Sequence, residues 1–195
     1  MDEKNNTPLQ SERNKNNLLI PFVVALIGSL MLISTLFLPF ASATEEYKEY
    51  LQEYPDEMYA AEINMTNEEA VHISLFEFGR MSVAAVNMEI SNITAIVCLV
   101  LISAFALFAI LTTLFSALKK PIAAMIFNLL SFGALWLIKL DFEDRDVLSR
   151  IGYDWGMAVT VYYTGIAVVM VGGILLLITK IKIKNKRQNK TLPIE

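Results

Sequence analysis

Four long apolar runs divide this chain, and the charges in the gaps between them alternate in sign from one gap to the next. The runs cover residues 18–40, about 93–118, 121–140 and about 157–178. A bilayer core of roughly 30 Å is crossed by about 20 helical residues, so each run suffices. None carries the polar stripe at helical spacing that a helix of a soluble bundle turns to water. Composition agrees, because 55% of the 195 residues are apolar, above the roughly 45–50% of soluble domains. The expected fold is an all-α integral membrane protein: a four-helix transmembrane bundle with a short-helical extracytoplasmic loop between spans one and two.

Lysine and arginine set the orientation. Lys4, Arg13 and Lys15 precede the first run, Lys119 and Lys120 fill the turn between the second and third, and Lys180 to Lys190 follow the fourth. The other two gaps are acidic. Residues 41–90 hold eleven carboxylates against Lys48 and Arg80, and residues 141–156 hold five against Arg145 and Arg150. Both termini are therefore expected in the cytoplasm of a cell membrane, with both acidic loops outside. Trp136, Tyr153 and Trp155 fall where an outer aromatic belt belongs.

Residues 1–17, rich in asparagine and charge, read as a disordered lead-in. Residues 18–180 form the four-span domain, and 181–195 a basic tail. There Lys182, Lys184, Lys186 and Arg187 are placed to meet anionic headgroups. Ala41-Ser42-Ala43 has the small-residue pattern of a signal-peptidase site. The apolar run before it is 23 residues, beyond the usual 7–15 or so of a signal sequence, so the span is expected to be retained.

The loop 41–90 is the one stretch large enough for recognition. Tyr47, Tyr50, Leu51 and Tyr54 share one helical face, and Glu45, Glu49 and Glu53 mark the other. Thr44 is placed to cap that helix and Pro55 to end it. Thr66 with Glu69, and Ser74 with Glu77, have capping-box spacing. The segment from Ser74 to Ile90, with Leu75, Phe76, Phe78 and Met81, suits the headgroup plane. Tyrosines among carboxylates offer a docking surface, or they pack onto the ends of the spans.

Chemistry-bearing motifs are few. The single cysteine, Cys98, excludes both an internal disulfide and paired-thiol electron shuttling. His72 is the lone histidine and has no partner ligand in its neighbourhood, so neither zinc nor a nucleophile–base pair is implied. Asp141, Glu143, Asp144 and Asp146 lack the glycine and terminal glutamate of a calcium loop and read as a solvated turn. Asn64-Met65-Thr66 is a glycosylation sequon. No cofactor and no nucleic-acid partner are implied. Asn128 is the one strongly polar side chain deep in a run, and an interhelical hydrogen bond is its expected role. Ala25, Ser29, Thr112, Ser116, Gly165, Gly172 and Gly173 suit close helix packing, within one chain or between two.

The layout of long outer loop, tight inner turn and short outer loop is shared by many tetraspan proteins. The first loop lacks the tryptophan and cysteine pair of claudin-like proteins. The short second loop departs from tetraspanins, and the uncharged first run departs from small multidrug transporters. The expected function is that of a non-enzymatic accessory, scaffold or sensing protein acting by association with a membrane protein or a second copy of itself. Its contact residues would be Tyr47, Tyr50, Tyr54, Phe76, Phe78 and Asn128. The alternative is a transporter or channel component with Asn128, Thr160 and Thr164 along a path. A membrane enzyme using loop carboxylates is the third reading.

Overall fold

Backbone groups removed from water must bond to one another, and in the apolar runs helices achieve this. The computed structural model describes residues 8–88, 92–148 and 152–189 and is mostly helical. Helix α1 spans Pro8–Ser34. A connecting region follows: strand β1 (Pro39–Ala43), α2 (Glu45–Glu53), β2 (Met58–Ala60), a 3-10 turn, β3 (Met65–Thr66), α3 (Asn67–Ala70), β4 (His72–Ser74) and α4 (Leu75–Asn87). Helix α5 (Asn92–Ala117) and α6 (Pro121–Asp144) come next, then β5 (Tyr153–Trp155) and α7 (Met157–Asn189). Helices α5, α6 and α7 contain stretches long and apolar enough to cross a membrane, and α1 has a shorter apolar stretch, Leu18–Ser34.

Two expectations are corrected here. The first apolar run is not one helix to residue 40: α1 stops at Ser34, and residues 39–43 form a strand. Beyond Ser34 the chain leaves the helix through turn bonds from Leu36 to Ile33 and from Phe37 to Ser34, and Pro39, lacking an amide, keeps the ladder from resuming. The fold is accordingly not purely helical. Strands order as β4-β1-β5 in one sheet, and β2 pairs with β3 in a second. In addition, residues 8–17 form the first turns of α1 rather than a disordered lead-in.

Successive long helices run antiparallel and close a ring in which α1 touches α5 and α7, and α6 touches the same two. Along the α1–α7 seam a Cβ on Gly28 would stand 2.7 Å from the Val169 nitrogen, and one on Gly172 2.5 Å from the Ala25 nitrogen. The small residues therefore seat these helices within one chain. Thr113 donates from α5 to the Ser29 carbonyl of α1 at 3.1 Å. Asn128 donates from α6 to the Ile166 carbonyl of α7 at 3.2 Å.

The helices are staggered. Leu36, just past α1, meets Ala106 of α5 across one cleft, so the turns of α5 from residue 92 to 105 rise about 20 Å beyond the end of α1. Into that step fits the cap built from the two sheets and α2 to α4. Its central strand β1 joins β4 of the first connecting segment to β5 of the second. The rings of Phe78, Phe142 and Trp155 surround Phe40 at 6.4, 5.7 and 5.3 Å. Cap and bundle thus share one apolar core. Gly156, where β5 passes into α7, lies so close to the Pro39 carbonyl that a Cβ has no room, and its amide donates to the Phe40 carbonyl at 2.8 Å.

Candidate functional site

The cap gathers most of the residues singled out from sequence. Thr44 caps α2, and the two capping boxes, Thr66 with Glu69 and Ser74 with Glu77, start α3 and α4. On α2 the tyrosines divide. Tyr47 packs inward, edge-on to Tyr153 at 5.4 Å and over Gly152, whose φ of +75° and lack of side chain make room for it. Tyr50 and Tyr54 are 60% and 50% exposed, and Met58 beyond them is 58% exposed. Glu45, Glu46, Glu49, Glu53, Asp56 and Glu57 surround them in solvent.

Tyr153 is buried and donates its hydroxyl to the Ala70 carbonyl at 2.6 Å. Burial, and then a hydrogen bond with Tyr59, push its ionisation well above the ordinary phenol range. Tyr47 is shifted the same way, by desolvation first and then by Tyr59. Of the three residues assigned to an outer aromatic belt, only Trp136 faces out. Tyr153 is inside the cap, and Trp155 lies against Phe40 and under the Lys139 amine.

Phe78 belongs to the core, 8% exposed, and so is not a contact surface. Phe76 is 52% exposed and stacks at a tilt on Phe37, which is 63% exposed. Together they continue the exposed apolar face of α1 past the end of that helix. His72 sits on β4, 3.2 Å from the Ser42 hydroxyl. Asp141, Glu143 and Asp144 form the last turn of α6 rather than a loop. There Asp141 pairs with Arg145 and Glu143 with Lys139.

Two clefts open beside α4. The first, about 330 Å³, is lined by Ser82, Cys98, Phe142 and Arg145 among others. The Arg145 guanidinium is tied to Asp141 and the Ser82 hydroxyl to the Phe78 carbonyl, and both groups also neighbour the Cys98 thiol. The second, about 570 Å³, runs between α4 and α5. Its walls include Leu36, Phe76, Gly79 and Ile102, and its rim carries Glu62, Asn64, Arg80 and Asn87. Sequence reading missed this second cleft. The signal available was the stripe Phe76, Gly79, Arg80, Val83 at helical spacing, an arginine amid small and apolar residues.

The bundle interior is filled by side chains. Phe105 and Tyr162 meet at 5.6 Å between ring centroids, and both are buried with Leu32, Leu135 and Ile138. Among the described residues the buried polar side chains are serine, threonine and asparagine, without a carboxylate, amine, guanidinium or imidazole. Among the described residues, the buried Ser116 hydroxyl and the Asn128 amide oxygen lack a partner, while the Ser131 and Tyr162 hydroxyls neighbour each other. Thr160 and Thr164, expected beside Asn128, are exposed on the outside of α7.

At the opposite end, α7 continues to Asn189, so the lysine-isoleucine alternation is helical. Lys182 and Lys184 are exposed, while the side chains of Lys186 and Arg187 lie outside the described residues. Lys180 donates to the Lys119 carbonyl, which ties this basic helix to the α5–α6 turn. No family model, curated protein or solved structure matches this chain.

Proposed function

We propose that this protein is a four-span scaffold of the cell membrane, with both termini in the cytoplasm and the cap outside, that works by holding a partner rather than by catalysis. Helix α1 serves as the fourth span because it is seated along α7 by glycine contacts. Lysines at one end of the bundle and carboxylates at the other fit the positive-inside rule.

The observation that carries the reading is the exposed row Tyr50, Tyr54 and Met58 on a cap locked by strands from both connecting segments. Large, stiff side chains on a rigid platform bind with little ordering cost, and the carboxylates around them select a basic partner surface. Replacing all three by serine tests this, with tagged protein purified in mild detergent and partner stoichiometry counted. The expected result is loss of at least nine-tenths of the partner with membrane insertion intact. Unchanged stoichiometry would remove the role of α2.

A transport role has one observation in its favour, the unpartnered polar atoms of Ser116 and Asn128 inside the bundle. The close packing of Phe105 on Tyr162 weighs against it. Solute flux through liposomes carrying the pure protein decides between the two.

A further inference from the structure

The cleft between α4 and α5 changes character along its length. Helix α4 runs antiparallel to α5, with Gly79 against Ile102. Its first turn is tied to the end of α1 by the Phe76 amide bonding to the Leu36 carbonyl at 2.9 Å. The stretch of lining beside the end of α1 is mostly apolar, with Leu36, Phe76, Ile102 and Ala106, and Ser103 between the last two. The polar part of the lining is Glu62, Asn64, Arg80 and Asn87. Arg80 donates to the Ile63 carbonyl at 2.6 Å, which holds its guanidinium at the rim with donors left over. Neither Arg80 nor Glu62 takes part in the ion pairs found among the described residues. Two unpaired opposite charges on one rim, above an apolar slot, complement a molecule bearing adjacent opposite charges and a hydrocarbon tail.

We infer that this cleft holds one phospholipid of the outer leaflet with an ammonium-bearing, zwitterionic headgroup. The phosphate sits against Arg80, the ammonium against Glu62, and one acyl chain lies along Leu36, Phe76, Ile102 and Ala106. A planar guanidinium suits two phosphate oxygens at once. The volume falls within the usual range of ligand pockets, roughly 300–1,000 Å³. Gly79 matters as floor: a Cβ there makes ordinary contact with Ile102 at 3.8 Å, and a longer side chain would extend into the slot. The inference rests on α5 crossing the bilayer and is independent of the α2 surface.

The test uses full-length protein in nanodiscs made from equal parts phosphatidylethanolamine and phosphatidylglycerol with identical chains. Native mass spectrometry after release counts the lipid retained. Wild type is expected to keep one phosphatidylethanolamine per chain, with at least tenfold preference. Arg80→Gln and Gly79→Leu should each cut retention at least tenfold, Arg80→Lys should restore part of it, and Glu62→Gln should keep a lipid while losing the preference. Equal retention of both lipids by wild type, or unchanged retention in both Arg80→Gln and Gly79→Leu, overturns the proposal. Wild type that fails to enter the nanodiscs removes the bilayer reading itself. Helical content of each variant separates a lost site from a lost fold, and Gly79→Leu keeps the Arg80 contacts should Arg80→Gln misfold.

Discussion

A methyl group at Gly28 would meet the backbone of Val169 and Gly165, whereas one at Gly133 would meet nothing within 4 Å. Two glycines in one membrane domain therefore carry opposite expectations. Gly28→Ala should cost roughly 1–3 kcal/mol through overpacking of the α1–α7 seam. Gly133→Ala should be neutral or slightly stabilising, because a helix interior prefers alanine. Denaturant titration of both variants in detergent checks the pair. Small residues at helical spacing were readable as packing devices, but Gly28 was passed over, since only the facing helix shows which small residue is indispensable. Asn128 is the reverse case, for its bond to the Ile166 carbonyl is the one foreseen for a lone amide at depth. Tyr153 was assigned to the wrong environment, because a tyrosine near a span end reads alike whether it faces lipid or a cap. Its raised phenol ionisation carries a pH dependence with a definite sign. The folded state holds the proton more tightly than the unfolded chain, so this contribution is complete below about pH 10 and is lost as pH climbs above it. Tyr153→Phe should flatten the alkaline fall in cap stability and cost about 1–2 kcal/mol at neutral pH, through the Ala70 carbonyl left unpaired. Unfolding midpoints measured across alkaline pH for both proteins compare the two.

Elements defined by local rules were legible. Thr44, the two capping boxes and the start of α6 at Pro121 are each decided within a few residues of chain. The strands were not. An apolar run such as residues 35–43 has no periodicity to separate a buried strand from a helix end. The partner of β1 on one side, β5, lies more than a hundred residues further along the chain. The pairing of Ser42 with Asp154 gives a direct check. Cysteines placed at both positions should form a disulfide under mild oxidation, since opposed residues on antiparallel strands have suitable Cα spacing. Absence of the crosslink in folded protein would remove the sheet. The same strand bears on processing at Ala43: a cut there would leave β4 and β5 without the strand that joins them.

At the scale of the whole molecule, apolar length was enough to mark the long helices, while the stagger of those helices depends on which residues oppose each other across seams. The cap occupies the step that stagger creates, which is why a connecting segment without disulfides is ordered at all: Phe40, Ile73 and Leu75 are buried in the core of the bundle itself. The exposed row on α2 and the cleft beside α4 are both products of this arrangement, and neither follows from the residues of one element alone. The stagger has a further consequence for the surroundings. Apolar surface begins and ends at different heights on α1 and on α5, so the greasy girdle of the molecule slopes instead of lying level. In the four-span arrangement proposed above, lipids on the two flanks would have to stretch on one side and compress on the other, or the whole body would lean. In that arrangement the molecule would impose a thickness gradient on its annulus, which neighbours sloping the opposite way would relieve.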